Sequence, residues 1–117
     1  MSIAILQILN AIAATISTVS SLLVVFQPRI MSKSQEISAG ERFFAQMYAA
    51  RAVPFGMVTA VVPFVAASDV ATVRLVLMAA MAVQIVDAGI GFRRRERAMI
   101  VGPSIAAIVH GTMAWYA

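Results

Sequence analysis

Four long apolar stretches constrain this chain more than anything else in it. They run over about Ile3–Phe26, Phe43–Ala67, Val70–Phe92 and Met99–Ala117. Each is close to the roughly 20 residues that carry a helix across a bilayer. Backbone N–H and C=O groups in hydrocarbon find no water, so each stretch must pair its own, and within one segment only a helix does so. The alternating pattern of a membrane barrel is missing. The sequence predicts an all-α membrane fold: a four-helix antiparallel transmembrane bundle with short loops, forming a single transmembrane domain over residues 1–117.

Composition agrees. Hydrophobic residues make up 62% of the chain and charged residues 12%, about half the charged share of an average soluble domain. A net charge of +4 would suggest a nucleic-acid partner in a soluble protein. Here the basic residues gather at segment ends, the pattern of membrane orientation, and no nucleic acid is expected. The chain has no cysteine and a single histidine. Thiolate chemistry, Cys-ligated metals and bis-His haem ligation are therefore excluded. No His/carboxylate cluster has metal-ligand spacing, and Gly89-Ile90-Gly91 is no phosphate loop. Neither a metal nor a cofactor is expected.

The segment boundaries carry local signals. Ser38-Ala39-Gly40-Glu41 has the spacing of a capping box. Ser68 and Asp69 offer an N-cap for the third span, and Pro103 sits near the start of the fourth. Gln27–Arg42 is the one long polar linker. The first segment has no basic leader and runs too long for a cleaved signal; Ala11-Ile12-Ala13 matches a cleavage site by letters alone. The first linker carries Arg29, Lys33 and Arg42, and the third Arg93, Arg94, Arg95 and Arg97. The second has only Arg74, beside Asp69. The first and third linkers share one side of a four-helix chain. The positive-inside rule makes that side cytoplasmic and leaves both termini outside a plasma or inner membrane.

Ionisable groups at membrane depth are the pointer to function, because hydrocarbon makes them costly to keep. Arg51, Asp87 and His110 lie in three different spans. At about 1.5 Å rise per residue, Arg51 sits about 12 Å and Asp87 about 8 Å from the cytoplasmic ends of their helices. That places them within reach of each other as an ion pair, either a site or a clamp that fixes packing. Gln84 shares a helix face with Asp87, and Tyr48 with Arg51. Pro54 frees the carbonyl of Ala50 beside Arg51. Gly89 and Gly91 allow a neighbour or a ligand close to the third helix. His110 and Asn10 match in depth, about 10 Å from the outer side. Gln7, Asn10, Ser17 and Ser21 form a polar stripe on the first helix that should face the bundle, as packing or as a path. A Ser104–His110–Asp87 triad is disfavoured, because Asp87 and His110 lie at different depths.

At Tyr48-Ala49-Ala50-Arg51-Ala52-Val53-Pro54, Asp87-Ala88-Gly89 and His110-Gly111 the chain resembles small four-helix bacterial membrane proteins grouped with the DoxX-like proteins. The resemblance covers nearly the whole chain and implies the four-helix fold, with the Arg51, Asp87 and His110 positions typical of the group. In size the chain also resembles the small multidrug transporters, but their essential first-helix acid is missing here.

These features lead to an expected function. Tyr48, Arg51, Gln84, Asp87, Asn10 and His110 line an intramembrane pocket for a lipid or small hydrophobic molecule. Asp87 and His110, with Arg51, are the acid/base candidates of an isomerase-, cyclase- or hydrolase-type enzyme. Two alternatives stand beside it. One is a non-catalytic subunit of a larger membrane complex, marked by an outward small-residue face at Ala45 and Ala49. The other is a small homo-oligomeric transporter.

Overall fold

The computed structural model describes all residues 1–117 and contains helices and no strands. The helices are α1 Ile3–Phe26, α2 Arg29–Ser32, α3 Ala39–Val65, α4 Val70–Arg94 and α5 Arg97–Tyr116. All but α2 are long and apolar enough to span a membrane. The long helices start and stop close to the expected positions. Ser38 and Glu41 form the capping box: the Ser38 hydroxyl accepts from the Glu41 N–H at 3.1 Å, and Glu41 accepts from the Ser38 N–H at 2.9 Å. Asp69, rather than Ser68, caps α4 by accepting from the Thr72 N–H. The short helix α2 was not legible in the polar linker. It starts at Pro28 and ends where Lys33 turns left-handed at φ 58°.

The helices form an antiparallel ring. The main seams join α1 to α3 and α4 to α5, with a lesser seam between α1 and α5. Contact between α3 and α4 is sparse, although they are consecutive. Ala14, Ala45, Ala49, Ala80, Ala106 and Ala107 are buried, whereas Ile12, Ile16, Leu75, Ile108 and many other large apolar residues face outward. Small residues between helices and large ones outside suit a bundle whose surroundings are lipid, where close backbone approach holds helices together. The largest apolar cluster is Leu6, Val62, Val73, Leu77, Met113 and Ala114. It ties the long helices together at the end away from the arginine-rich linkers. At the arginine-rich end, Arg94 donates to the Met31 carbonyl at 3.2 Å and joins α4 to α2.

Two glycines mark where the backbones come closest. A Cβ on Gly91 would lie 2.6 Å from the backbone carbon of Met99 on α5. A Cβ on Gly56 would collide with the Thr18 hydroxyl on α1. The expected close approach at Gly89 does not occur: nothing lies within 4 Å of a Cβ there. Gly89 and Gly91 are two residues apart on a helix, hence on opposing sides of it. Gly91→Ala should therefore destabilise the protein by about 1–3 kcal/mol, because the Met99 backbone cannot yield as a side chain would. Gly89→Ala, with open space and a better helix former, should be neutral or stabilising by up to about 1 kcal/mol. Detergent-unfolding curves of the two variants check the contrast.

Candidate functional site

The interior polar network begins with an absent hydrogen. Pro63 lies in the last turn of α3 and has no N–H, so the Thr59 carbonyl four residues earlier loses its helical partner. An unpaired carbonyl inside a membrane bundle is costly. Asn10 on α1 fills the gap: its Nδ2 donates to the Thr59 carbonyl at 2.9 Å. One turn along α1, Gln7 donates to the Pro63 carbonyl at 2.8 Å. The other side of the Asn10 amide meets α5, with Oδ1 2.7 Å from His110 Nδ1. Asn10 and His110 are almost fully enclosed, at 0% and 1% exposure. The Thr59 hydroxyl turns back to the Phe55 carbonyl at 2.8 Å and makes no demand on the network.

Beside this network lies a cleft of about 60 Å³ between α3 and α4, floored by α1 and α5. Its polar lining includes Ser17, Tyr48, Thr59, Gln84, Asp87 and His110. Tyr48 is exposed while Gln84 and Asp87 are half-buried, so they stand at the mouth; Thr59 and His110 are buried and form the floor. Gln84 donates to the Ser17 hydroxyl at 3.2 Å across the cleft. The Ser21 hydroxyl in turn donates to the Ser17 carbonyl at 2.7 Å. The volume holds about two waters at their liquid share of roughly 30 Å³ each. A larger groove of about 270 Å³ lies nearer the arginine-rich end, with Val24, Phe44 and Arg94 in its walls, and Tyr48 borders both.

Of the residues singled out from sequence, Tyr48, Gln84, Asp87 and His110 line this one cleft. Asn10 is joined to it through His110. Asp87 and His110 share the cleft although they come from different levels of the bundle; Ser104 does not line it. Arg51 is the exception. It does not pair with Asp87 but lies exposed outside the cleft, where its guanidinium reaches back to the Met47 carbonyl at 3.4 Å. The cleft face of α3 is Tyr48, Ala52, Phe55, Gly56 and Thr59. Arg51 falls at one edge of this face, about 40° from Phe55 and about 100° from Ala52 around the helix, and its side chain turns to the exposed side. Neither a buried clamp nor an Arg51–Asp87 catalytic pair is formed. The outward small-residue face expected of a complex subunit is also absent at Ala45 and Ala49, which are each 6% exposed.

Two residues with structural weight escaped the sequence reading. Thr59 matters through its carbonyl, and the available signal was Pro63 four residues on. Arg74 acts as more than a linker charge: it donates to the carbonyls of Ala114 at 3.2 Å and Ala117 at 3.0 Å. A cation at the C-terminal end of an antiparallel neighbour meets the negative end of its dipole.

The network makes a specific double-variant expectation. Asn10→Leu removes the partner of both the Thr59 carbonyl and His110 Nδ1, and should cost about 1–2 kcal/mol. Adding Pro63→Ala restores an N–H to the Thr59 carbonyl and should recover part of that loss, measured by unfolding in mixed micelles. A double variant no more stable than Asn10→Leu alone contradicts the account of Thr59. Comparison with family models, with curated proteins and with solved structures finds no match to this chain. These comparisons give no family evidence for the expected resemblance to the DoxX-like proteins.

Proposed function

We propose that this multi-pass membrane protein binds the polar end of a small lipophilic molecule in the α3–α4 cleft. The observation that carries the reading is the convergence of Tyr48, Gln84, Asp87 and His110 on one partly open space inside an otherwise apolar bundle. The carboxyl of Asp87 has neither an ion-pair partner nor a hydrogen bond within the protein. A lone carboxyl at membrane depth is expensive, and a ligand that meets it offsets that cost. The cleft admits a head group, while the apolar remainder lies along the α3–α4 seam and the groove that Tyr48 also borders. Reaction chemistry on the ligand is a second reading, supported by a carboxyl and an imidazole lining the same space. Proton transfer in an isomerase-, cyclase- or hydrolase-type step needs that pair of groups. In this reading Arg51 has no part.

The arginine-rich end belongs in the cytoplasm, with both termini on the outer face, because basic linkers resist translocation. The absence of native cysteine makes the orientation simple to test. A single cysteine at Ser34 should be shielded from a membrane-impermeant maleimide in intact cells, and one at Ala117 should react. The opposite labelling pattern reverses the orientation.

The binding reading is tested on protein purified from membranes in mild detergent. Solvent extraction and mass spectrometry should recover a lipophile at near-stoichiometric amount. Tyr48→Ala and Asp87→Ala should lower its occupancy at least fivefold with little change in unfolding midpoint. Equal retention by wild type and both variants places the ligand elsewhere, and recovery of none from wild type removes the reading.

A further inference from the structure

Chemistry alone fixes the proton positions around His110. The Thr59 carbonyl can only accept, so the Asn10 atom facing it at 2.9 Å must be Nδ2. That leaves Oδ1 facing His110 Nδ1 at 2.7 Å. An amide oxygen has no hydrogen to give, so the hydrogen in this contact sits on Nδ1. In the neutral ring the other nitrogen, Nε2, then carries the lone pair. The origin of this arrangement is Pro63, which frees the Thr59 carbonyl and thereby orients the Asn10 amide.

Every fully enclosed side-chain nitrogen and oxygen in the protein has a hydrogen-bond partner. Nε2 has no protein partner, so it is not fully enclosed, although His110 as a whole is only 1% exposed. His110 lines the cleft, and that is the space to which this opening is assigned. The floor of the cleft thus presents a hydrogen-bond acceptor of fixed direction. The hydroxyls of Ser17 and Tyr48 line the same cleft further along the bundle.

We propose that Nε2 of His110 accepts a hydrogen bond from the hydroxyl head of a lipophilic alcohol or phenol, with Asn10 holding the imidazole in the Nδ1–H form. This names the ligand class for the cleft and rests on the binding reading above. A hydroxyl fits because it can donate to Nε2 in a space of about 60 Å³. An ether or ketone head leaves Nε2 without a partner, and a site built around a hydroxyl discriminates strongly against analogues that lack one. Asn10 is a positioning residue: it acts through the ring and does not touch the ligand.

His110 is the only histidine, so histidine labelled with nitrogen-15 reports on it alone. In a hydroxyl-free detergent, the spectrum should show Nδ1 bearing hydrogen and Nε2 bearing the lone pair. Asn10→Ala should shift the ring to a mixture of the two neutral forms. A hydrogen on Nε2 in the wild type, or an unchanged ring in Asn10→Ala, overturns the proposal. Titration with 1-dodecanol should move the Nε2 resonance, and its methyl ether should bind at least tenfold more weakly. If both probes shift the backbone amides of Tyr48 and Asp87 equally while Nε2 stays still, the hydroxyl assignment fails and the cleft stands. If neither probe shifts any cleft amide, the binding reading fails, and this proposal with it.

Discussion

One carbonyl organises the interior of this bundle. Proline in the last turn of a membrane helix leaves an acceptor four residues back, and no water of the bilayer core can fill it. Asn10 fills it from α1, and the amide group that does so has a second end, which faces α5. A single side chain thereby links α1, α3 and α5 in one plane of the bundle. The register of α1 against α3 follows from that bond and from its neighbour, Gln7 on the Pro63 carbonyl. With the register set, Gly56 meets Thr18 and the alanines of α3 fall into the seam with α1.

The second organising feature is the inversion of size across the helix surface. Alanine and glycine line the seams, and isoleucine, leucine, valine and phenylalanine face outward. In water this arrangement would expose a large apolar area and aggregate. In lipid the outer residues meet chains as apolar as themselves, and the seams gain from close packing. Polar groups then decide specificity, because few other directional contacts are available. The Asn10–His110 and Gln84–Ser17 contacts are the side-chain pairs that join different long helices in this way.

Much of this was legible in the sequence, for reasons tied to particular residues. Span length fixed the long helices, and the Ser38–Glu41 capping box marked the start of α3 within a residue of its place. The stripe Gln7, Asn10, Ser17, Ser21 pointed inward because polar groups in lipid have nowhere better to go. Matching depth paired Asn10 with His110. Reading by depth failed for Arg51 and Asp87, since depth says nothing of rotation about the helix axis. The i,i+3 link of Arg51 to Tyr48 left about 60° of slack, and Tyr48 itself sits at the rim of the cleft face. The role of Thr59 was hidden because it belongs to a main-chain atom. Side-chain chemistry is written in the sequence, whereas a freed carbonyl is written only in the proline that follows it.

The uneven seams also have a mechanical meaning. At one end, the Leu6–Leu77–Met113 cluster clamps the long helices together. Contact between α3 and α4 is sparse, and the side-chain bridges toward the other end are Gln84 to Ser17 on α1 and Arg94 to Met31 on α2. The molecule is therefore two tight helix pairs, α1 with α3 and α4 with α5, joined most closely at one apolar end and along the lesser α1–α5 seam.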